Sequence, residues 1–168
     1  MSDPLPDCEV AVIGAGPAGS VLARELALRG RAVTLIERTT FPRRKVCGGC
    51  LSGHAVRELT AAGLIDSVKT AGAIPQTGFR LGVAGPSRRE AFVKTAGGLA
   101  LSRARFDAVL AEQATAAGAT LHFGTTAKFS KGGPLRLSGA VKGELSAQVV
   151  VLACGLSGAG RDRPSLRP

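Results

Sequence analysis

The sequence predicts an α/β fold opened by a β-α-β unit, and three features carry that prediction. Residues 9–13 are apolar and β-branched, 17–29 follow a helical period, and 32–37 turn apolar again and end on a charge. Between the first strand and the helix stands Gly14-Ala15-Gly16-Pro17-Ala18-Gly19, a glycine-rich turn where a strand must give way to a helix. Far downstream, residues 148–153 form a continuous apolar run of the kind found in a buried parallel strand. The expected architecture is Rossmann-like: a parallel sheet with a small antiparallel β excursion.

Each element has its own justification. Pro17 suits the first helical turn, where its missing N–H needs no partner, and Gly30 suits the left-handed position that ends the helix. Val21, Leu22, Leu26 and Leu28 are expected to press on the sheet while Arg24, Glu25 and Arg29 look outward. Residues 39–53, rich in Pro, Gly and Arg without a clear period, read as an ordered loop with functional content. A short helix follows, capped by Ser52, with Val56, Leu59 and Ala62 on one side and Gly63 at its end. Residues 78–83 and 89–95 alternate as two strands joined by a turn at Gly85-Pro86, a hairpin off the main sheet. A second long helix spans 103–117, with Ser102 as N-cap, Phe106, Val109, Leu110, Ala114 and Ala117 on one face, and Gly118 as its stop. Strands are expected at 120–123 and 135–137. The chain reads as one domain over 1–160 with a disordered polar tail over 161–168, and no internal repeat is present.

Composition narrows the function classes. The 168 residues are 45% hydrophobic and 20% charged, ordinary for a globular domain, although glycine is abundant at 23. The net charge of +10 is spread thinly, with Arg38, Arg43, Arg44 and Lys45 as the one compact basic run. That run reads as a basic surface or a patch facing a dinucleotide phosphate, and no nucleic-acid-binding motif accompanies it. Asp3, Asp7 and Glu9 precede the first apolar run, so a secretory signal is not expected, and no apolar stretch is long enough to span a membrane. A cytoplasmic setting is therefore expected, with membrane contact limited to the periphery. Four cysteines, at 8, 47, 50 and 154, are too few and too unevenly spaced for a secreted disulfide scaffold.

The chemistry concentrates at the glycine-rich turn. A dinucleotide pyrophosphate needs a tight bend that bare backbone can approach: Gly14 makes the turn, Gly16 lets the phosphate near, and Gly19 lets helix and strand lie close. Pro17 and Ala18 open the helix, whose free N–H groups face the anion. Glu37, about 20 residues on, closes the second strand and is placed to accept hydrogen bonds from an adenosine ribose, with Arg38 beside it. Its charge would repel a 2′-phosphate, so the site favours FAD or NAD over NADP.

These residues resemble the FAD-dependent oxidoreductases that include the geranylgeranyl reductases and the aromatic-ring and squalene-type monooxygenases. Beyond the glycine turn, the resemblance rests on Phe41-Pro42-Arg43-Arg44-Lys45-Val46-Cys47-Gly48-Gly49 followed by Leu51-Ser52, on Arg103-Ala104-Arg105-Phe106-Asp107 leading into Leu110, and on residues 149–157. It implies that the Cys47-Gly48-Gly49 loop borders the isoalloxazine, that Arg103 reaches the cofactor phosphates or the flavin edge, and that Ala153 and Gly155 approach the cofactor closely. Cys50 and Cys154 depart from the family's pattern. Cys47 and Cys50 also form a C-x-x-C, which without a second cysteine or histidine pair reads as ordinary thiols rather than a zinc half-site or dithiol. His54 and His122 read as surface or packing residues.

The resemblance implies an enzyme in which FAD takes hydride from NAD(P)H and passes it to an isoprenoid-like alkene or reacts with oxygen. No side chain stands out as a catalytic acid or base. The family's later flavin-binding segment and substrate sheet are absent from this sequence, so a fragment is expected, with a truncated non-catalytic nucleotide-binding remnant as one alternative and an NAD-dependent dehydrogenase as another.

Overall fold

The computed structural model describes residues 7–83, 89–130 and 133–155. The turn at Gly85-Pro86 and the 161–168 tail lie outside these residues. The chain falls into two compact units, Met1–Arg43 with Leu110–Pro168, and Arg44–Val109.

The first unit is built on a four-stranded sheet, β1 (Cys8–Ile13), β2 (Val33–Ile36), and two later strands, in which every pairing is parallel. The later strands are β6 (Thr120–His122) and β10 (Ala147–Leu152), and the order across the sheet is β10-β1-β2-β6. Helix α1 (Pro17–Ala27) makes the β1-to-β2 crossover. One face of the sheet packs Val12, Val33 and Leu35 against Ala23 of α1 and against Ala114, with Leu22 and Leu26 at the margin. Leu35 is fully buried, a burial that contributes about 1.5–3 kcal/mol. Leu28, expected in this interface, is 57% exposed. At about 100° per residue it sits on the side of the helix opposite Leu26, past the last helical turn. Gly30 closes α1 at φ +74.

The opposite face of the sheet packs Cys8, Ala11 and Ile36 against Leu135, Leu137 and Leu145. These leucines belong to a three-stranded antiparallel meander of β7 (Thr125–Lys128), β8 (Leu135–Gly139) and β9 (Gly143–Leu145). The expected strand at 135–137 is the central one, while β7 and β9 are too short and too polar to show a period. β10 is parallel as expected, yet it is an edge strand: Val149 and Leu152 are 53% and 49% exposed.

The second unit carries an antiparallel sheet of order β3-β5-β4. Its strands are β3 (Cys50–Leu51), β4 (Ile74–Val83) and β5 (Arg89–Ala100), so the expected hairpin is present, longer than predicted and off the parallel sheet. β3 is a two-residue strand inside the region read as loop, held by pairing with Leu99 and Ala100. Helix α2 (Gly53–Ala61) is capped as expected, with Ser52 Oγ accepting from Ala55 N at 3.2 Å, and Gly63 follows at φ +67. A further helix, α3 (Ile65–Thr70), went unpredicted; at six residues with no side-chain cap it leaves little signal. Helix α4 (Arg103–Ala116) starts at Ser102, whose Oγ accepts from Arg105 N.

Candidate functional site

All four parallel strands end in one row. Ile13 pairs with Leu152 and Ile36, and Ile36 pairs with His122. The ladder then runs one residue further: Gly14 N donates to Ile36 O at 2.8 Å, Ala153 N to Ile13 O at 2.8 Å, and Glu37 N to His122 O at 2.9 Å. From β1 the chain moves to β2 and β6 on one side, whereas β10 lies on the other, so strand order reverses at β1. The C-terminal edge beside that reversal is where ligands settle in open parallel sheets. A shallow groove at the other end of the strands, lined by Asp7, Glu9, Ala32 and Gln148, gathers no comparable chemistry.

The glycines of the bend have different causes. Gly14 has φ +107, and a Cβ there would lie 2.6 Å from Ala153 O, so the fold itself requires glycine. Gly19 also answers to the fold, since a Cβ would fall on Gly14 O. Gly16 does not: its φ is −71, and a Cβ would meet only Arg43 Nη2, at 3.7 Å. No side chain caps α1, and its first turn holds no acidic residue. A bare Cα beside uncapped helix N–H groups, where the backbone makes no demand for glycine, fits an anion resting on this turn.

Glu37 is tied to the same bend. Its carboxylate is 3% exposed; Oε2 accepts from Ala15 N at 3.0 Å, while Oε1 accepts from Thr39 N, Thr39 Oγ1 and Arg43 Nη1 at 3.1, 2.8 and 2.9 Å. Oε2 therefore has one donor and a further lone pair, an acceptor of the kind a ribose hydroxyl needs. Arg43 lies with its guanidinium 4.8 Å over the Phe41 ring, and Phe41 packs on Phe123 at 4.9 Å. Arg38 is exposed, so the basic side chain that reaches the bend is Arg43. Sequence reasoning placed Arg43 within a basic run and within the Phe41-to-Gly49 segment that carries the resemblance, without a role of its own; what fixes it is the Phe41 stack and the Glu37 carboxylate, which charge pattern alone does not reveal. Ala153 packs on the core beside Gly14, Gly155 follows at φ +65, and Cys154 Sγ donates to Ile13 O at 3.3 Å.

The second unit assembles Cys47, Gly48, Gly49 and Arg103. Arg103 binds Asp107 through two hydrogen bonds, Nε to Oδ1 at 2.6 Å and Nη2 to Oδ2 at 2.9 Å. The Asp107 side chain is wholly buried. This bidentate pair, joined by a smaller contribution from the Cys47 thiol, holds the Arg103 pKa above its ordinary value despite partial burial. Asp107, unremarked in the sequence beyond its motif, is the residue that orients Arg103. Leu101 N donates to Gly49 O at 2.8 Å, and Gly49 has φ +69. Gly48 resembles Gly16: a Cβ there would have no neighbour within 4 Å. His122 sits at the end of β6, where burial lowers its pKa, and His54 is exposed on α2.

Comparison with known proteins agrees with this geometry. The FAD binding domain family matches residues 7–143. Menaquinone reductase of Mycobacterium tuberculosis is 52% identical over 56 residues, 33% of this chain and 14% of that protein. Among solved structures, a myxobacterial chondrochloren halogenase, a variant of FAD-dependent halogenases, superposes with a TM-score of 0.73 at 28% identity over 89% of this chain and 38% of its own. A geranylgeranyl bacteriochlorophyll reductase-like protein from Thermoplasma acidophilum gives 0.69 at 25% identity, over 89% of this chain and 39% of that one. The chain thus spans well under half of the relatives it matches. It belongs to the FAD binding domain family, among flavin-dependent oxidoreductases that include geranylgeranyl reductase-like proteins, monooxygenases and halogenases.

Proposed function

We propose that the first unit binds the adenosine diphosphate half of FAD at the β1–α1 bend, in the service of a flavin-dependent oxidoreductase. The observation that carries this is Gly16, a glycine without an internal reason, set at an uncapped helix start and within one peptide of the Ala15 N–H that holds Glu37. The backbone amides of Ala18 and Gly19 receive the pyrophosphate, and Pro17 sets the first turn without a surplus donor. Glu37 Oε2 accepts from the ribose, while Ala15 N, Thr39 and Arg43 hold the carboxylate in place. Ala153 and Gly155 bring small residues to the β10 side of the bend. In the second unit, Gly48 presents open backbone suited to a flat ring, and Asp107 holds Arg103 through its Nε and Nη2.

Bound FAD supplies two-electron chemistry: hydride taken from NAD(P)H and delivered to an alkene, or used to activate oxygen for hydroxylation. The chain's own residues bind and orient, and among the described residues none is placed as an acid or base. A substrate with an isoprenoid chain is favoured because relatives are named for menaquinone and geranylgeranyl bacteriochlorophyll, both of which carry one. The test is absorbance of the purified chain titrated with FAD, then anaerobic addition of NADH or NADPH. Flavin bands that shift on binding and bleach with the nicotinamide support the proposal. Unshifted bands would overturn the binding reading, and bound flavin that neither nicotinamide bleaches would overturn the donor.

A further inference from the structure

We propose that Ser20 is a positioning residue for the anion at the β1–α1 bend, its hydroxyl aiming the Gly16 N–H at the phosphate. The proposal rests on the pyrophosphate placement above and adds to it a residue that touches no ligand itself. Ser20 is the fourth residue of α1 and is wholly buried. Both of its donors turn back on the bend: Oγ donates to Ala15 O at 3.1 Å, and the backbone N–H donates to Gly16 O at 2.9 Å.

The first of these bonds fixes the peptide between Ala15 and Gly16. In a planar trans peptide the carbonyl and the N–H point in opposite directions, so an Ala15 carbonyl held towards Ser20 sends the Gly16 N–H away from it. Among the described residues that N–H has no acceptor. The Gly16 Cα beside it is bare, and the next nitrogen belongs to Pro17, which donates nothing. Ala15 is also held at its other end, where its N–H donates to Glu37 Oε2 at 3.0 Å. One residue is thus clamped between the carboxylate assigned to the ribose and the hydroxyl that orients the phosphate turn.

Neither packing nor helix propensity calls for serine at this position. Alanine is the better helix former and brings no hydroxyl that burial obliges to find a partner. Ala23, three residues on and equally buried, packs on the sheet without one. Removing Oγ takes this donor from the carbonyl of a wholly buried residue and leaves the Gly16 peptide free to rotate, so that a phosphate must order it on binding.

The test compares ADP with adenosine on the full chain, wild type and Ser20→Ala, by titration followed in amide NMR spectra. Adenosine reaches Glu37 but carries no phosphate. In the wild type, the Gly16 amide resonance should move far more with ADP than with adenosine. Ser20→Ala should weaken ADP about fivefold and adenosine by less than about twofold. Ser20→Cys, which keeps a weaker donor, should fall between wild type and Ser20→Ala. Equal losses for the two ligands, or an unchanged ADP affinity, would leave Ser20 a purely structural role and overturn the proposal. Wild-type binding of ADP that moves the Gly16 amide no more than adenosine does would overturn it too, whether or not the alanine variant folds. Failure of the wild type to bind ADP at all would refute the pyrophosphate placement itself, and the proposal with it.

Discussion

Replacing Gly16 by serine separates the ligand's demands from the fold's. At φ −71 the new side chain causes no backbone strain, and its Cβ meets only Arg43 Nη2, 3.7 Å away. Gly16 is the N-cap of α1, and no side chain now caps that helix. Serine is a better N-cap than glycine, so stability should hold or rise by up to about 0.5 kcal/mol. The same Oγ takes the Ala18 or Gly19 N–H that the pyrophosphate needs and adds bulk where it rests. Losing one charge-assisted hydrogen bond costs about 1.5–3 kcal/mol, roughly 10- to 150-fold in affinity. Thermal unfolding by circular dichroism reads the first effect, and quenching of flavin fluorescence during FAD titration reads the second. An affinity that stays within about twofold of wild type, with stability preserved, would refute the placement of the pyrophosphate. The control is Gly14→Ala, which sets a Cβ 2.6 Å from Ala153 O at φ +107 and should lose fold and binding together.

Other substitutions probe the remaining supports. Glu37→Gln leaves Arg43 facing a neutral amide in a buried setting and should cost about 3 kcal/mol in urea denaturation, while weakening FAD; an unchanged midpoint would show that the pair is not holding the loop. Asp107→Asn breaks the bidentate hold on Arg103 at a wholly buried carboxylate, and about 3 kcal/mol is expected by the same measurement. Gly48→Ala meets nothing within 4 Å, so stability should be level or up by about 0.4–1 kcal/mol. A marked loss would reveal a packing role for Gly48. For His122, burial sets the folded pKa below the unfolded value of 6.5. The unfolded state thus binds more protons in that window, so stability is full above about pH 6.5 and falls as pH drops towards the folded pKa. His122→Gln should flatten that part of the pH profile, and an unaltered slope would assign it to other groups.

The glycine turn, its flanking strands and Glu37 were legible because each answers to local physics: a β-branched run, a proline that tolerates only the first helical turn, and a carboxylate at strand's end. The α4 face was legible for the same reason, with Phe106, Leu110 and Ala114 all buried. What escaped depends on partners distant in sequence. β7 and β9 exist because Leu135, Leu137 and Leu145 cover a sheet face that includes Cys8, Ala11 and Ile36, all far earlier in the chain. The position of Arg43 depends on a ring stack and a buried carboxylate, and the depth of Asp107 on packing. Leu28 shows the opposite error, an apolar residue counted into a face that helix geometry turns away.

The most direct test of the account is competition at equilibrium: the full chain with bound FAD, challenged separately with ADP and with FMN. If the β1–α1 bend and Glu37 hold the adenosine diphosphate, ADP displaces FAD and FMN does not. Displacement by FMN with indifference to ADP would place the anchor on the flavin side and contradict it.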